Sequence, residues 1–180
     1  MKSAVLAVIT ILSSAPLLYA EVLSFEKLCA GDRAVYGIEK KLEGAEIVIA
    51  RSEGEVKRLW AEDVTGSYSD MKGLPDPDWD RTFVVAIFLG RRPTTGYGFH
   101  VCNVQWKEKA LEVGIEEKKP LPQSTAAQVI TSPYALIACQ RAGIVLEEIL
   151  VLRLLDRDGK AIVERPAWSY RLMKRPGVGK

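Results

Sequence analysis

The stretch TFVVAIFLG, Thr82–Gly90, decides the fold, because it is the most apolar run of the chain outside the first twenty residues. Polar residues precede it, and RRPTTGY, residues 91–97, follows it directly. A continuous apolar run of this length, bounded by polar residues and a glycine, predicts a central strand that other elements cover on both faces. The stretch RRPTTGY is then either an ordinary turn between two strands or a functional surface of the protein.

Further strands are predicted downstream; in the first two of them apolar and polar residues alternate, and the third is an apolar run. The runs are YGFHVCNVQW at 97–106, ALEVGIEE at 110–117, YALIAC at 134–139, and a closing hairpin of LEEILVLRLL and KAIVERPAWSYRLMK around the turn DRDG at 156–159. Leu111, Val113 and Ile115 fall on one side of their strand, which indicates a half-buried sheet.

Upstream of Thr82 the pattern is weaker and predicts one short helix. Ser52 and Glu55 have the spacing of a capping box. Val56, Leu59 and Trp60 then follow at helical spacing, while VYGI at 35–38 and AEIVIA at 45–50 are short candidate strands. We therefore expect one β-rich domain over residues 21–180, an antiparallel β barrel or sandwich with one short helix packed against it.

The charge of the chain argues against nucleic acid as a partner. The formal net charge is +2, from 25 basic and 23 acidic residues, and the basic residues form no cluster. Aromatic residues are not interleaved with them either.

The first twenty residues have the layout of a signal peptide: a short positive start, an apolar stretch, and a less apolar tail that ends at Ala20. Cleavage there would leave 160 of the 180 residues and a net charge of 24 minus 23, or +1. The sequence thus predicts an exported protein, periplasmic or extracellular. The alternative is that this segment is retained as an anchor, in which case the protein would contact a membrane.

No catalytic group, metal site or cofactor site is predicted. His100 is the single histidine, whereas a nucleophile triad or a usual zinc site needs more partners. SDMK at 69–72 lacks companion motifs, and the alternating aspartates of DPDWD at 76–80 lack the glycine and glutamate of an EF-type calcium loop. Glycine loops that cradle phosphate are absent.

Cysteine usage leaves the redox state open. The chain has Cys29, Cys102 and Cys139, and an odd count leaves at least one free thiol. Cys102 and Cys139 fall in predicted strands, where a buried free cysteine is the common case.

The run DWDRTFVVAIFLGRRPTTGYGFHV, residues 78–101, together with KKPLP and TSPYALIAC, resembles the family named for the C-terminal domain of PrcB, a subunit of a bacterial surface protease complex. That family has an Asp-aromatic pair before an apolar strand ending in LG, then a Thr-Gly-Gly-Tyr-like turn. Here Thr95 stands where glycine is frequent. The resemblance covers about residues 35–140. It implies a non-catalytic domain that associates with a protease or another envelope protein.

A second resemblance is narrower. PTTGY, residues 93–97, is similar to the first binding loop of chagasin-like cysteine protease inhibitors, and ERPAW, residues 164–168, is similar to their late Arg-Pro-Trp loop. The middle glycine loop of those inhibitors is absent, and Arg92 replaces a leading asparagine. This resemblance implies a protease inhibitor as the alternative function.

Both resemblances point to the same loop, whose sequence suits a stiff turn. Pro93 restricts one φ and Gly96 can supply a positive φ, with the hydroxyls of Thr94 and Thr95 at the tip. The candidate partner-binding residues are Arg92, Pro93, Thr94, Thr95, Gly96, Arg165 and Trp168. The alternative is that the threonines and glycine only form the turn, with Tyr97 and Phe99 packed in the core.

Overall fold

The computed structural model describes residues 20–34, 44–65, 76–121, 127–141 and 143–167. Its strands are β1 (Glu21–Val22), β2 (Phe25–Ala34), β3 (Glu46–Ala50), β4 (Thr82–Phe88), β5 (Gly98–Lys107), β6 (Ala110–Lys118), β7 (Thr131–Gln140), β8 (Val151–Leu155) and β9 (Ala161–Pro166). The α-helix α1 (Glu53–Leu59) continues as a π-helical segment, Trp60–Thr65, and Leu146–Glu148 form a 3-10 turn. Within these ranges, no helix has the length and apolar character that crossing a bilayer requires. The predicted signal segment up to residue 19, VYGI, SDMK and Trp168 lie outside the described residues.

The strands form two sheets. One has five strands in the order β1-β5-β6-β8-β9, and the other has four in the order β2-β7-β4-β3. The prediction of a mostly β fold with one short helix is confirmed. Over the described ranges the two sheets do not close into a barrel, so the sandwich alternative is the compatible one.

One strand pair departs from the antiparallel prediction. Strands β6 and β8 pair in parallel, from Ala110 opposite Val151 to Gly114 opposite Leu155. The reason is the chain path: after β6 the chain crosses to the four-stranded sheet to form β7, and it then returns beside β6. The closing hairpin of β8 and β9 is antiparallel as predicted.

The central strand β4 is buried along its whole length, as the apolar run predicted. Its side chains alternate between two cores: Phe83, Val85 and Ile87 lie in the inter-sheet core, and Val84, Ala86 and Phe88 lie in the helix-side core. Burying a side chain of the size of Val, Ile or Phe contributes about 1.5 to 3 kcal/mol.

The inter-sheet core joins the facing sides of the two sheets. Its members from the five-stranded sheet include Val104, Leu111, Val113, Ile115, Leu152 and Leu154, and those from the four-stranded sheet include Ile47, Ile49 and Ile137. Leu111, Val113 and Ile115 alternate along β6, so the predicted inward face of this strand is confirmed.

The helix-side core lies between α1 and the outer face of the four-stranded sheet. Val56, Leu59 and Trp60 pack there against the alternate side chains of β4. The helix begins as predicted: the Ser52 hydroxyl accepts a hydrogen bond from the Glu55 amide at 3.4 Å. The Glu55 carboxylate in turn accepts from the Arg51 amide at 2.8 Å. The Ser52 cap thereby satisfies one amide of the first turn, and the Glu55 carboxylate binds the amide of the residue before the cap.

Strand β2 was missed by the sequence pattern. It pairs along β7 from Phe25 opposite Cys139 to Ala34 opposite Thr131, with a bulge between Lys27 and Cys29. The bulge interrupts the period-two alternation, and an edge strand needs few apolar residues. This explains why residues 21–45 appeared weakly patterned.

The three cysteines are free thiols in different surroundings. Cys139 is buried in the inter-sheet core, and this burial raises its pKa to about 12. Burial also raises the pKa of the half-buried Cys29. The expectation that Cys102 is buried is wrong, because a β-bulge in β5 turns this residue to the solvent.

Gly90 ends the central strand in a conformation that only glycine adopts freely. Its φ is +74°, and an added Cβ would lie 2.6 Å from the carbonyl carbon of Gly44. The backbone before β3 therefore passes directly against the backbone after β4.

We predict that Gly90→Ala lowers the free energy of unfolding by about 2 to 5 kcal/mol, because it adds a backbone clash to the cost of a positive φ. Gly143→Ala is the matched control: its φ is +85°, but an added Cβ would meet nothing within 4 Å. It should cost only about 1 to 2 kcal/mol. Urea denaturation of both variants measures the difference. Equal losses of unfolding free energy in the two variants would show that the close approach of Gly44 does not contribute to the cost.

Candidate functional site

The loop of residues 91–97 connects β4 of one sheet to β5 of the other. It is fastened to the start of β7 by an isolated β-bridge between Arg92 and Thr131. The Arg92 amide donates to the Thr131 carbonyl at 2.8 Å, and the Thr131 amide donates to the Arg92 carbonyl at 3.0 Å. The backbone of the loop is therefore held at its first turn by the sheet.

The Arg92 side chain adds a second attachment. Its Nε donates to Glu117 Oε1 at 2.9 Å, and its Nη1 donates to the carbonyls of Leu89 at 2.9 Å and Arg91 at 3.1 Å. The guanidinium also lies over the Tyr97 ring, 5.9 Å from its centroid. Arg92 was predicted as a partner contact. In the structure its side chain contacts residues at both ends of the loop and stabilises the loop itself.

The two threonines differ in what holds them. The Thr95 amide donates to the Ala127 carbonyl at 3.0 Å, and the Thr95 hydroxyl accepts from the Ala127 amide at 3.0 Å. The Thr94 carbonyl accepts from the Thr131 hydroxyl at 3.2 Å. The expectation of two unengaged hydroxyls at the tip is thus wrong for Thr95, whose hydroxyl ties the loop to the segment before β7.

Gly96 reverses the chain as its sequence position predicted. Its φ is +88°, and an added Cβ would lie 3.2 Å from the Pro120 side chain. Pro93 and Gly96 are exposed, while Tyr97 is half-buried. Phe99 packs against the inter-sheet core. The loop therefore forms the turn that its sequence predicts, and Pro93 and Gly96 remain exposed to solvent.

Exposed apolar side chains flank this loop on the segments that hold it. Leu121 is 76% exposed and follows Pro120; Ile130 is 41% exposed and precedes Thr131; Val129 is its neighbour. We call Pro93, Gly96, Leu121, Val129 and Ile130 the loop surface. Large apolar side chains that are exposed on neighbouring segments are one feature of surfaces that bind another protein.

Arg165 does not join this surface. It pairs with Leu152, which pairs with Leu111 near the start of β6, whereas the loop contacts Glu117 near the end of β6. Six residues of strand correspond to about 20 Å. Trp168 lies outside the described residues, and the chagasin-like inhibitor hypothesis stays a prediction.

A comparison with family models identifies the part of the chain that carries the loop. Residues 83–140 match the PrcB C-terminal family. The match confirms the resemblance seen in the sequence, although it is shorter than the expected range of 35–140. No curated protein and no solved structure matched the chain.

The PrcB C-terminal match covers four consecutive strands. It runs from Phe83 in β4 to Gln140 at the end of β7. It thus contains the loop, the hairpin of β5 and β6, and both segments that the loop contacts. The Asp-aromatic pair just before the match is structural: Asp78 Oδ1 accepts from the Asp80 amide at 3.1 Å, and Trp79 packs against the helix-side core.

Several residues that shape the site were missed from the sequence. Glu117 and Thr131 are ordinary polar residues in strands, and Ala127 has no distinguishing side chain. A signal existed for Glu117 alone, because the short turn at Glu108 and Lys109 brings the end of β6 near the start of β5. The partners on β7 depend on the packing of two sheets.

We predict that Thr95→Val lowers the free energy of unfolding by about 1 kcal/mol, because the Ala127 amide loses its acceptor. Thr94→Val is the matched control and should change it by less than about 0.5 kcal/mol, since the Thr94 hydroxyl has no hydrogen-bond partner among the described residues. Urea denaturation of both variants provides the measurement. A Thr95 variant as stable as the Thr94 variant would contradict this assignment.

Proposed function

We propose that this chain is an exported, non-catalytic β-sandwich domain that binds a protease or another cell-envelope protein through the loop surface. The PrcB C-terminal match supports association with a protease complex, because that family is named for such a subunit. The match contains every residue of the loop surface.

The observation that carries the proposal is that the loop is fastened at several points and still exposes apolar groups. Arg92, Thr94 and Thr95 are held by Thr131, Glu117 and Ala127. A surface that is ordered before binding loses little conformational entropy in the complex.

The charges around the loop surface indicate what a partner should offer. Arg91, Lys118 and Lys119 are exposed beside it. Apolar contacts at the centre with charges at the rim are the usual arrangement of a protein interface. We therefore expect an apolar patch with an acidic rim on the partner, since complementary charge speeds association.

Export rests on the layout of the first twenty residues. Cleavage after Ala20 would leave β1 complete, because β1 begins at Glu21 and pairs with Trp106 and Gln105 of β5. If the segment is instead retained, it would hold the same domain at a membrane.

The proposal is tested by affinity capture from the cell envelope with residues 21–180 as bait, followed by measurement of the Kd for the recovered protein. We predict that Ile130→Ser and Leu121→Ser each raise this Kd about tenfold or more, as truncation of a central apolar contact does. The matched controls are Ile162→Ser and Leu150→Ser, because Ile162 is 41% and Leu150 is 56% exposed at other places on the surface.

The proposal is supported if the bait binds a protease or another envelope protein, the control variants keep this affinity, and Ile130→Ser loses it. Equal affinity for all four variants would place the binding surface elsewhere. Recovery of no envelope protein by the unaltered bait would contradict the proposed function itself.

A further inference from the structure

Three metal-ligating side chains meet on the five-stranded sheet, on the face turned away from the inter-sheet core. His100, Cys102 and Glu116 each offer one ligand atom, and these atoms all lie within 4.8 Å of one another. His100 Nε2 is 2.9 Å from Glu116 Oε2. None of the three belongs to the loop surface.

The bulge in β5 creates this cluster. Cys102 is the extra residue between Val101, which pairs with Ile115, and Asn103, which pairs with Gly114. The core-facing side chains of β5 are Val104 and Trp106 on one side of the bulge and Phe99 and Val101 on the other. Core-facing residues thus have odd numbers before the bulge and even numbers after it. His100 and Cys102 therefore both lie on the outer face, and His100 lies opposite Glu116.

The chemistry of the three groups selects the metal. A thiolate and an imidazole favour a borderline or soft ion over Ca²⁺ or Mg²⁺, which prefer oxygen ligands. Zinc is bound by cysteine, histidine and glutamate at about 2.0 to 2.3 Å, so that neighbouring ligand atoms of a tetrahedral site lie about 3.3 to 3.8 Å apart. Side-chain shifts of about an ångström bring this cluster into that range.

We propose that His100, Cys102 and Glu116 form a Zn²⁺ site with three protein ligands. Zinc would replace the direct contact between the histidine and the carboxylate and bind Cys102 as a thiolate. The fourth position faces solvent, because the His100 side chain is 64% exposed, and water can fill it.

Arg157 acts as a positioning residue for this site. Its Nη1 donates to Glu116 Oε1 at 3.1 Å, whereas Oε2 faces His100. The carboxylate is thus held by one oxygen and offers the other to the metal. Such outer contacts orient the ligands of metal sites in proteins.

The cluster was not predictable from the residues in sequence. A single histidine argued against zinc, and a regular hairpin extended from the turn at residues 108–109 would have paired His100 with Glu117 rather than Glu116. The bulge at Cys102 changes the register by one residue and supplies the third ligand.

The experiment titrates the untagged protein with Co²⁺ under reducing conditions and follows the thiolate-to-cobalt absorption, with displacement by Zn²⁺ and calorimetry for the stoichiometry. We predict one equivalent of metal. Cys102→Ser should abolish the thiolate absorption, and His100→Gln and Glu116→Gln should each weaken zinc binding about tenfold or more.

Matched controls separate this site from adventitious binding. Cys29→Ser removes a thiol and Glu164→Gln removes an exposed carboxylate outside the cluster, and both should bind zinc as the unaltered protein does. Ile130→Ser should also retain zinc, since the loop surface is separate. Absence of saturable binding, or a thiolate absorption that persists in Cys102→Ser, would overturn the proposal.

Discussion

The burial of β4 on both faces is the constraint on which the rest of the structure depends. Its odd-numbered side chains complete the inter-sheet core and its even-numbered side chains complete the helix-side core. A strand with two apolar faces needs a layer on each side, so the five-stranded sheet and α1 must both be present. The chain leaves this strand at Gly90, which has a positive φ and lies directly against the backbone of Gly44. The loop of residues 91–97 starts from this fixed point.

From Gly90 onward, attachments to two strands hold the loop. Arg92 reaches β6 through Glu117 and β7 through Thr131, and Thr95 reaches the segment before β7 through Ala127. The same connections that carry the chain from one sheet to the other therefore also shape an exposed surface with apolar groups. Under the proposed function, recognition of a partner would use the shape of this turn and the side chains beside it.

The sequence predicted those parts of the fold that local pattern determines. The apolar run of β4, the alternation of β6 and the Ser52 cap each follow from residues within one element, and all three are confirmed. Strand β2 and the parallel pairing of β6 with β8 depend on contacts between distant segments, which local periodicity does not report. At the candidate site, the sequence predicted the turn of residues 91–97. It did not predict the hydrogen bond of the Thr95 hydroxyl, because the donor is the backbone amide of Ala127.

The central claim is that the loop has its binding shape before any partner arrives. Hydrogen–deuterium exchange of the free protein, read at single amides by NMR, tests this most directly. The amides of Arg92, Thr95, Ala127 and Thr131 all donate hydrogen bonds within the loop and its attachments. A preformed loop predicts that they exchange at least about a hundredfold more slowly than amides of an unstructured peptide. Exchange at the unstructured rate in the free protein would contradict the account, because the loop would then take its shape only on binding.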